Sequence, residues 1–367
     1  MFNKTLHSFK EFYQLFTSGM TRAELERLAK VETRGMYDFY TRSMQKPLQE
    51  EKKWKRGLIF CRNLFITFLL KLTPARRLLY AIALFLFVIA FVDNNWWDFV
   101  YAFVILNFLL ALELADKLIT KDELEIAREI QLSLLPDHAT PIAGFEIAAY
   151  SDAAKSVGGD YYDFIPLADG STLVVIGDVS GKGISAALYM VKMQTLLQMF
   201  AKETGEPCML LDRLNSQLYR AIKRNYFLTI VLARLYPNGD LELCRAGHNP
   251  TLLYNHAKKQ CDWLEPHGIA VGLQNGAAFS NTLELSKKSL HAGDVLLLFT
   301  DGVVETANGQ WLEFGENRLA QILAAHAPAA PESIKQALLH ELHGFRNGAE
   351  LRDDTTFVVI KRVEKVL

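Results

Sequence analysis

Cysteine is scarce in this chain of 367 residues: Cys61, Cys208, Cys244 and Cys261 show no C-x-x-C pair and no metal-finger spacing. That argues against a disulfide framework and against a sulfur-ligated zinc site, and it fits a reducing compartment. Positive charge is missing from 78–116, which holds no Lys or Arg, and 78–92 carries no charge of either sign. No apolar h-region lies in the first 30 residues, so a cleaved signal peptide is not expected. Internal repeats and low-complexity tracts are also absent.

What is present is core-forming material, since 50% of the residues are hydrophobic, enough for one large domain or two smaller ones. The formal net charge of −1 hides an asymmetry. Residues 1–77 carry 16 Lys/Arg against 7 Asp/Glu, whereas residues 78–367 carry 24 against 34. A basic leader of this kind faces something anionic, a membrane surface or a nucleic acid, and the segment that follows favours the membrane over nucleic acid.

The leader, 1–76, alternates charged and apolar residues at helical spacing, and Thr21 with Glu24 forms a capping box ahead of Leu25 and Leu28. It reads as helical and cytosolic. Within it, 57–72 is apolar but interrupted by Arg62 and Lys71, which predicts an interfacial helix. Residues 77–116 hold two apolar runs, 78–92 and 99–112, joined by the polar link DNNWWD. Each run falls short of the roughly 20 residues that a bilayer core requires, but helices over 75–94 and 97–115 would suffice. Trp96, Trp97 and Tyr101 gather at the link as an interfacial belt does, and Arg76, Arg77, Lys117 and Lys121 flank the pair. The positive-inside rule puts both ends in the cytosol and predicts a multi-pass protein of the inner, cytoplasmic membrane. The competing reading is a buried helical hairpin in a soluble protein.

Residues 117–136 are rich in helix formers and stop at Pro136, so they would extend the second membrane helix as a stalk. Ile119, Ile126 and Ile130 share one face, which offers either a homodimer through this linker helix or docking on the domain that follows. From 137 to 367 the texture changes. Short β-like runs occur at 145–150, 161–166, 173–176, 226–236, 241–244, 251–254, 295–299 and 356–360, with helical blocks at 184–201, 208–223, 314–325 and 331–345. Strands clustered apart from paired helices predict an α+β fold, a β-sandwich flanked by helices, rather than a βαβ wind.

The stretch around which the domain is organised is TLVVIGDVSGKGISAALY, 172–189. Its β-branched run ends at Gly177 and Asp178, and the Gly-Lys-Gly turn at 181–183 leads into a helix. A carboxylate fixed at the end of a buried strand, with glycines that let an ion approach, is a good metal ligand. Asp160 in VGGDYYDF, Asp301 in LLLFTDGVVE and the pair Asp353–Asp354 in LRDDTTFVVI share that context. Singly, an Asp at a strand end is a turn former or a helix cap. Four of them converging would repel one another unless cations neutralised them, and hard oxygen donors without Cys or His suit Mg²⁺ or Mn²⁺.

The ordered motifs EIQLSLLP, VGGDYYDF, GDVSGKG, AGHNP, TDGVVE, FGENRL and RDDTTFVV resemble the SpoIIE/RsbU branch of the PPM metal-dependent serine/threonine phosphatases over about 124–362. The resemblance implies a central pair of antiparallel sheets flanked by helices. It implies two divalent cations, Mn²⁺ or Mg²⁺, with Asp160, Asp178 and the backbone carbonyl of Val179 as ligands, and with Asp301 and Asp353 completing the second ion. Asp353 is preferred to Asp354 because the family's ligand opens its D-x-x-T element, and Asp163 reads as structural or as a support behind the ligands. The implied activity is water attack, without a covalent intermediate, on a phosphorylated regulatory protein of the anti-anti-sigma (STAS) type. Two departures stand out. SDAAK at 151–155 lacks the proline that many relatives place ahead of GGD, and the branch lacks the phosphate-gripping arginine of eukaryotic members. Lys182 is a candidate substitute, against a solvated turn lysine; His248 is either a core or turn residue or a general acid.

Two other readings compete. A cyclase-type GGD turn would need a βαβ-rich nucleotide-binding domain and would leave TDG and DDTT idle. A catalytically silent, membrane-tethered module that binds a signalling partner would need none of the four carboxylates.

Overall fold

The computed structural model describes residue 41, residues 53–136 and residues 142–364; the Thr21–Glu24 capping box lies outside the described residues. The chain divides into two compact units, 1–119 and 120–367.

In the first unit, helix α1 spans Lys53–Lys71, α2 spans Pro74–Val92 and α3 begins at Trp96. Pro74 sits in the first turn of α2, where its missing N–H removes no helical bond. The chain reverses at Asp93–Asn95, with Asn94 in the left-handed region at φ 49°, and Phe87 and Phe91 meet Phe99 across the turn at 5.5 and 5.1 Å between ring centres. At the other end of this hairpin Arg76 pairs with Glu113 at 3.0 Å and Asp116 at 2.7 Å. Between these ends Phe85, Val88, Val104 and Phe108 are exposed. Both α2 and α3 are long and apolar enough to cross a membrane. As the helix formers of 117–136 led one to expect, α3 continues past the apolar run and is unbroken to Leu134, with no Gly or Pro in its sequence.

Among the described residues of the second unit, ten strands form two five-stranded antiparallel sheets. In chain order they are β1 Phe145–Asp152, β2 Tyr161–Pro166, β3 Thr172–Val179, β4 Leu228–Leu235, β5 Asp240–Ala246, β6 Thr251–Asn255, β7 Gln260–Leu264, β8 Leu285–Ser289, β9 Val295–Phe299 and β10 Thr355–Arg362. One sheet has the order β1-β10-β9-β6-β7 and the other β2-β3-β4-β5-β8. The longer helices of this unit are α4 Ile184–Ala201, α5 Pro207–Leu218, α8 Glu316–His326 and α9 Pro331–Arg346; the short α6 Ala277–Ser280 and α7 Asp301–Val304 complete the set.

Alternation along the strands builds the layers. Val174 and Ile176 of β3 face Leu298, Val358 and Ile360 of the other sheet, whereas Leu173 and Val175 face Met190, Met193 and Leu214 of α4 and α5. On the far side Phe357 and Val359 of β10 face Leu319, Ile334 and Leu338 of α8 and α9. Central strands therefore bury both faces, which is why they read as unbroken apolar runs rather than as alternation. Strands β7 and β8, QCDWL and LSKKS, were not expected from sequence; they are half-exposed edges. Helix α5 ends at Leu218, ahead of the expected 223.

The stalk end of α3 docks on this domain. The buried Gln131 donates from Nε2 to the Gly158 carbonyl at 2.7 Å and accepts from the Gly158 N–H at 3.1 Å. Gln194 of α4 donates to the Leu134 carbonyl at 2.6 Å, and Leu135 packs against the core. Ile126 and Ile130 remain exposed. Replacing Gln131 with Ala leaves both backbone groups of Gly158 buried without these partners, at a cost of about 1–3 kcal/mol. Hydrogen exchange should report faster opening at 158–160 in the variant; unchanged exchange there would show that the clamp carries no stability.

Candidate active site at the end of the sandwich

Strand β3 delivers Asp178 beside β4, and the glycines around it are steric requirements. A Cβ on Gly177 would stand 2.8 Å from the Thr229 carbonyl oxygen, and one on Gly159 would stand 2.7 Å from the Val179 carbonyl and 2.8 Å from the Asp178 carboxylate. Only glycine lets the GGD loop pass this close. The loop leads into the buried Asp160, which accepts from the Thr300 hydroxyl at 2.8 Å. Thr300 is held by β10, through its N–H to the Thr356 carbonyl at 2.9 Å. The next residue, Asp301, opens α7, and the Asp353–Asp354 pair precedes β10.

These carboxylates share one electrostatic neighbourhood. Burial, then Asp178 and Asp354, push the Asp160 carboxyl well above its usual range. Burial, then Asp301, Asp353 and Asp354, raise Asp178 to about 7. Burial and Asp353 raise Asp301 against the opposing pull of the Gly302 N–H and Lys182. Glu305, one helical turn beyond Asp301, is raised by burial and by Asp301. The fold thus brings together Asp160, Asp178, Asp301 and Asp353, with the Val179 carbonyl alongside Gly159.

The paired aspartates divide their work. Asp354 accepts from the Ala154 N–H at 2.9 Å and the Gly159 N–H at 2.7 Å, tying the SDAAK loop and the GGD loop to β10. Asp353 instead faces Lys182, whose Nζ lies 2.6 Å from its Oδ2 and 2.5 Å from the Arg352 carbonyl. Lys182 is thus an exposed turn lysine that is ion-paired to Asp353. Asp163 points to the helix side, accepting from the Tyr161 hydroxyl, from Gln198 at 2.9 Å and from the Phe164 N–H at 2.8 Å, a structural role. His248 is buried, with Nδ1 2.9 Å from the Thr229 hydroxyl oxygen, and burial lowers it to about 3. It is a neutral core residue.

Among the described residues no three His, Cys, Asp or Glu side chains are closed into a ready-made metal cage. The chemistry of the donors nevertheless fits a hard divalent cation: every candidate is an oxygen, their mutual repulsion favours added positive charge, and Gly159 keeps the approach to Val179 and Asp178 clear. Sequence reasoning missed Thr300, Glu305 and the loop-tying role of Asp354. Each lay inside a quoted motif, but their partners are far away in sequence.

With metal chelated, Asp178 holds its proton up to about pH 7 in the folded chain but only to about 3.8 when unfolded. The folded state binds more protons in between, so stability falls as pH rises through that window. Asp178→Asn removes this residue's share of the dependence, and in EDTA near about pH 8 the variant should exceed the parent by on the order of 2 kcal/mol, a gap that narrows toward about pH 5. Excess Mn²⁺ should reverse the order by stabilising the parent. Thermal unfolding checks both signs, and a parent that is the more stable without metal contradicts them.

A family profile described as Stage II sporulation protein E (SpoIIE) matches residues 168–363. Protein IcfG of Synechocystis sp. is 29% identical over an alignment of 293 residues that covers 72% of this chain and 45% of that protein. Phosphoserine phosphatase RsbU of Bacillus subtilis is 30% identical over 252 residues, covering 66% of this chain and 70% of that protein. The SiaA-PP2C domain of Pseudomonas aeruginosa shares the fold, with a TM-score of 0.59 at 22% identity over 68% of this chain and 98% of that domain. This chain thus spans less than half of IcfG and about seven tenths of RsbU. With a profile match across more than half its length and the similarity to RsbU, the chain belongs to the SpoIIE family, in the RsbU-type branch of the PPM phosphatases.

Proposed function

We propose that this protein is a membrane-anchored, metal-dependent serine/threonine phosphatase that faces the cytoplasm and dephosphorylates a regulatory phosphoprotein of the STAS type in a signalling pathway. The observation that carries the reading is the convergence of Asp160, Asp178, Asp301 and Asp353 from four separate elements on one end of the sandwich. In this reading Asp160, Asp178 and the Val179 carbonyl hold one divalent cation, Mn²⁺ or Mg²⁺, and Asp301 and Asp353 complete a second. When bound, such a pair lowers the pKa of a shared water and orients it toward a phosphoryl group.

The chain's own residues prepare the site. Thr300 fixes the Asp160 carboxylate, Asp354 anchors the GGD loop, and Gly159 leaves room at Asp178. Lys182 sits where positive charge is needed, on Asp353, and its flexible stem would let the ammonium swing from that carboxylate to a substrate phosphate. The two long apolar helices support anchoring in the inner membrane, with the charged flanks of the hairpin toward the cytosol. The Gln131 clamp on Gly158, two residues before Asp160, supports the stalk as the route by which a membrane or leader signal reaches the site. The exposed Ile126 and Ile130 leave a face for a homodimer.

Hydrolysis of an aryl phosphate by the chain should require Mn²⁺ or Mg²⁺ and fall at least about a hundredfold in Asp178→Asn. Activity that survives this substitution would overturn the metal assignment. A metal-loaded parent that hydrolyses nothing would leave a silent binding module.

A further inference from the structure

Beside the carboxylate cluster lies a cavity of ≈ 150 Å³ walled by Lys182, Gly302 and Asp353 on the site side and by Glu313, Arg346 and Arg352 on the other. Its neighbour is a small hairpin in which Ala307 bridges Glu313. Asn308 stitches the tip together: its side-chain oxygen accepts from the Gln310 N–H at 2.9 Å and the Leu312 N–H at 3.1 Å, and its carbonyl accepts from the Trp311 N–H at 3.0 Å. The tip presents Trp311, 74% exposed, and Leu312, 58% exposed. Trp311 is held at φ 67°, a strained conformation for an aromatic residue. Arg352, the residue before Asp353, lies over the Trp311 ring with its guanidinium carbon 3.5 Å from the ring centre.

A strained, outward-facing tryptophan stacked on an arginine is a costly surface for a residue with no contact to make, and both types dominate the energetics of protein interfaces. Its position narrows the occupant. Arg352 contributes to both the stack and the cavity wall, so a molecule presenting a phosphoryl group at Asp353 and Lys182 has the ledge within reach. Cationic Lys182, Arg346 and Arg352 face four carboxylates on the same wall, Glu305, Glu313, Glu350 and Asp353. That excess of carboxylate disfavours an anionic lipid surface, whereas the exposed Trp311 and Leu312 suit a polypeptide with an apolar side chain.

We propose that Trp311, Leu312 and Arg352 form a docking ledge for the residues flanking the phosphorylated serine or threonine of the protein substrate. An apolar substrate side chain covers Trp311 and Leu312, while the guanidinium edge of Arg352 donates to the substrate backbone. The ledge rests on the phosphatase reading and adds to it a preference for apolar flanks.

The test uses the full chain in detergent micelles with Mn²⁺ and two phosphoserine peptides, alike except that Leu and Phe flank the phosphoserine in one and Gly and Ser in the other. The parent should favour the apolar-flanked peptide in kcat/KM by about tenfold, through KM rather than kcat. Trp311→Ala should bring the ratio to within about twofold, and Trp311→Phe should retain most of it. A ratio taken on one preparation is insensitive to how much of the variant folds. Equal treatment of the peptides by the parent, or an undiminished ratio in Trp311→Ala, overturns the ledge. So does an undiminished ratio accompanied by loss, in the variant, of a blue shift in tryptophan emission with phosphatidylserine vesicles, which would assign the loop to a bilayer. Mn²⁺-dependent aryl phosphate hydrolysis without peptide preference sinks the ledge alone, whereas a parent inactive on all three substrates sinks the phosphatase reading as well.

Discussion

Like charges forced into one buried place are the constraint on which the rest of the structure depends. An uncompensated buried carboxylate costs several kcal/mol, against a total stability of about 5–15 kcal/mol for a domain. This fold places Asp160, Asp178, Asp301 and Asp354 within mutual reach, and the raised proton affinity of each shows the strain. The compensation is distributed. The N–H groups of Ala154 and Gly159 come from the loop between β1 and β2, the Thr300 hydroxyl and the Gly302 N–H from the turn into α7, and the Lys182 ammonium from the turn after β3. The elements that make the sandwich close are therefore the elements that make its end acidic.

The same network ties the site to its surroundings. Asp354 links β10 to the GGD loop, and Gln131 grips the neighbouring glycine of that loop from the stalk. A shift of the stalk end by an ångström would be felt first at Gly158 and then at Asp160, because hydrogen bonds of 2.7 Å do not stretch freely. Hydrogen bonds and packing of the stalk end, through Gln131 and Leu134, connect it to the loop that carries Asp160.

Much of this was legible in the sequence, for a physical reason. Strands β3, β9 and β10 bury both faces, so their composition is unambiguous, and the carboxylates at their ends stood out against apolar neighbours. Edge strands β7 and β8 carry no such signature; LSKKS pairs through its backbone while its lysines face water. The helical stalk was legible for a different reason: apolarity stops near 115, but 117–134 is rich in helix formers, and the helix persists to Leu134. Lys182, Asp354 and Gln131 gained their roles only from partners 171, 195 and 27 residues away, a distance that no local pattern encodes.

The central claim is that this acidic end exists to hold divalent cations. Titration of the chain with Mn²⁺, followed by the loss of its free-ion electron paramagnetic resonance signal, tests that most directly. The account predicts saturable uptake of two ions per chain, reduced to one or none in Asp160→Asn. A folded chain that leaves millimolar Mn²⁺ free, or that binds it equally well without Asp160, would contradict it.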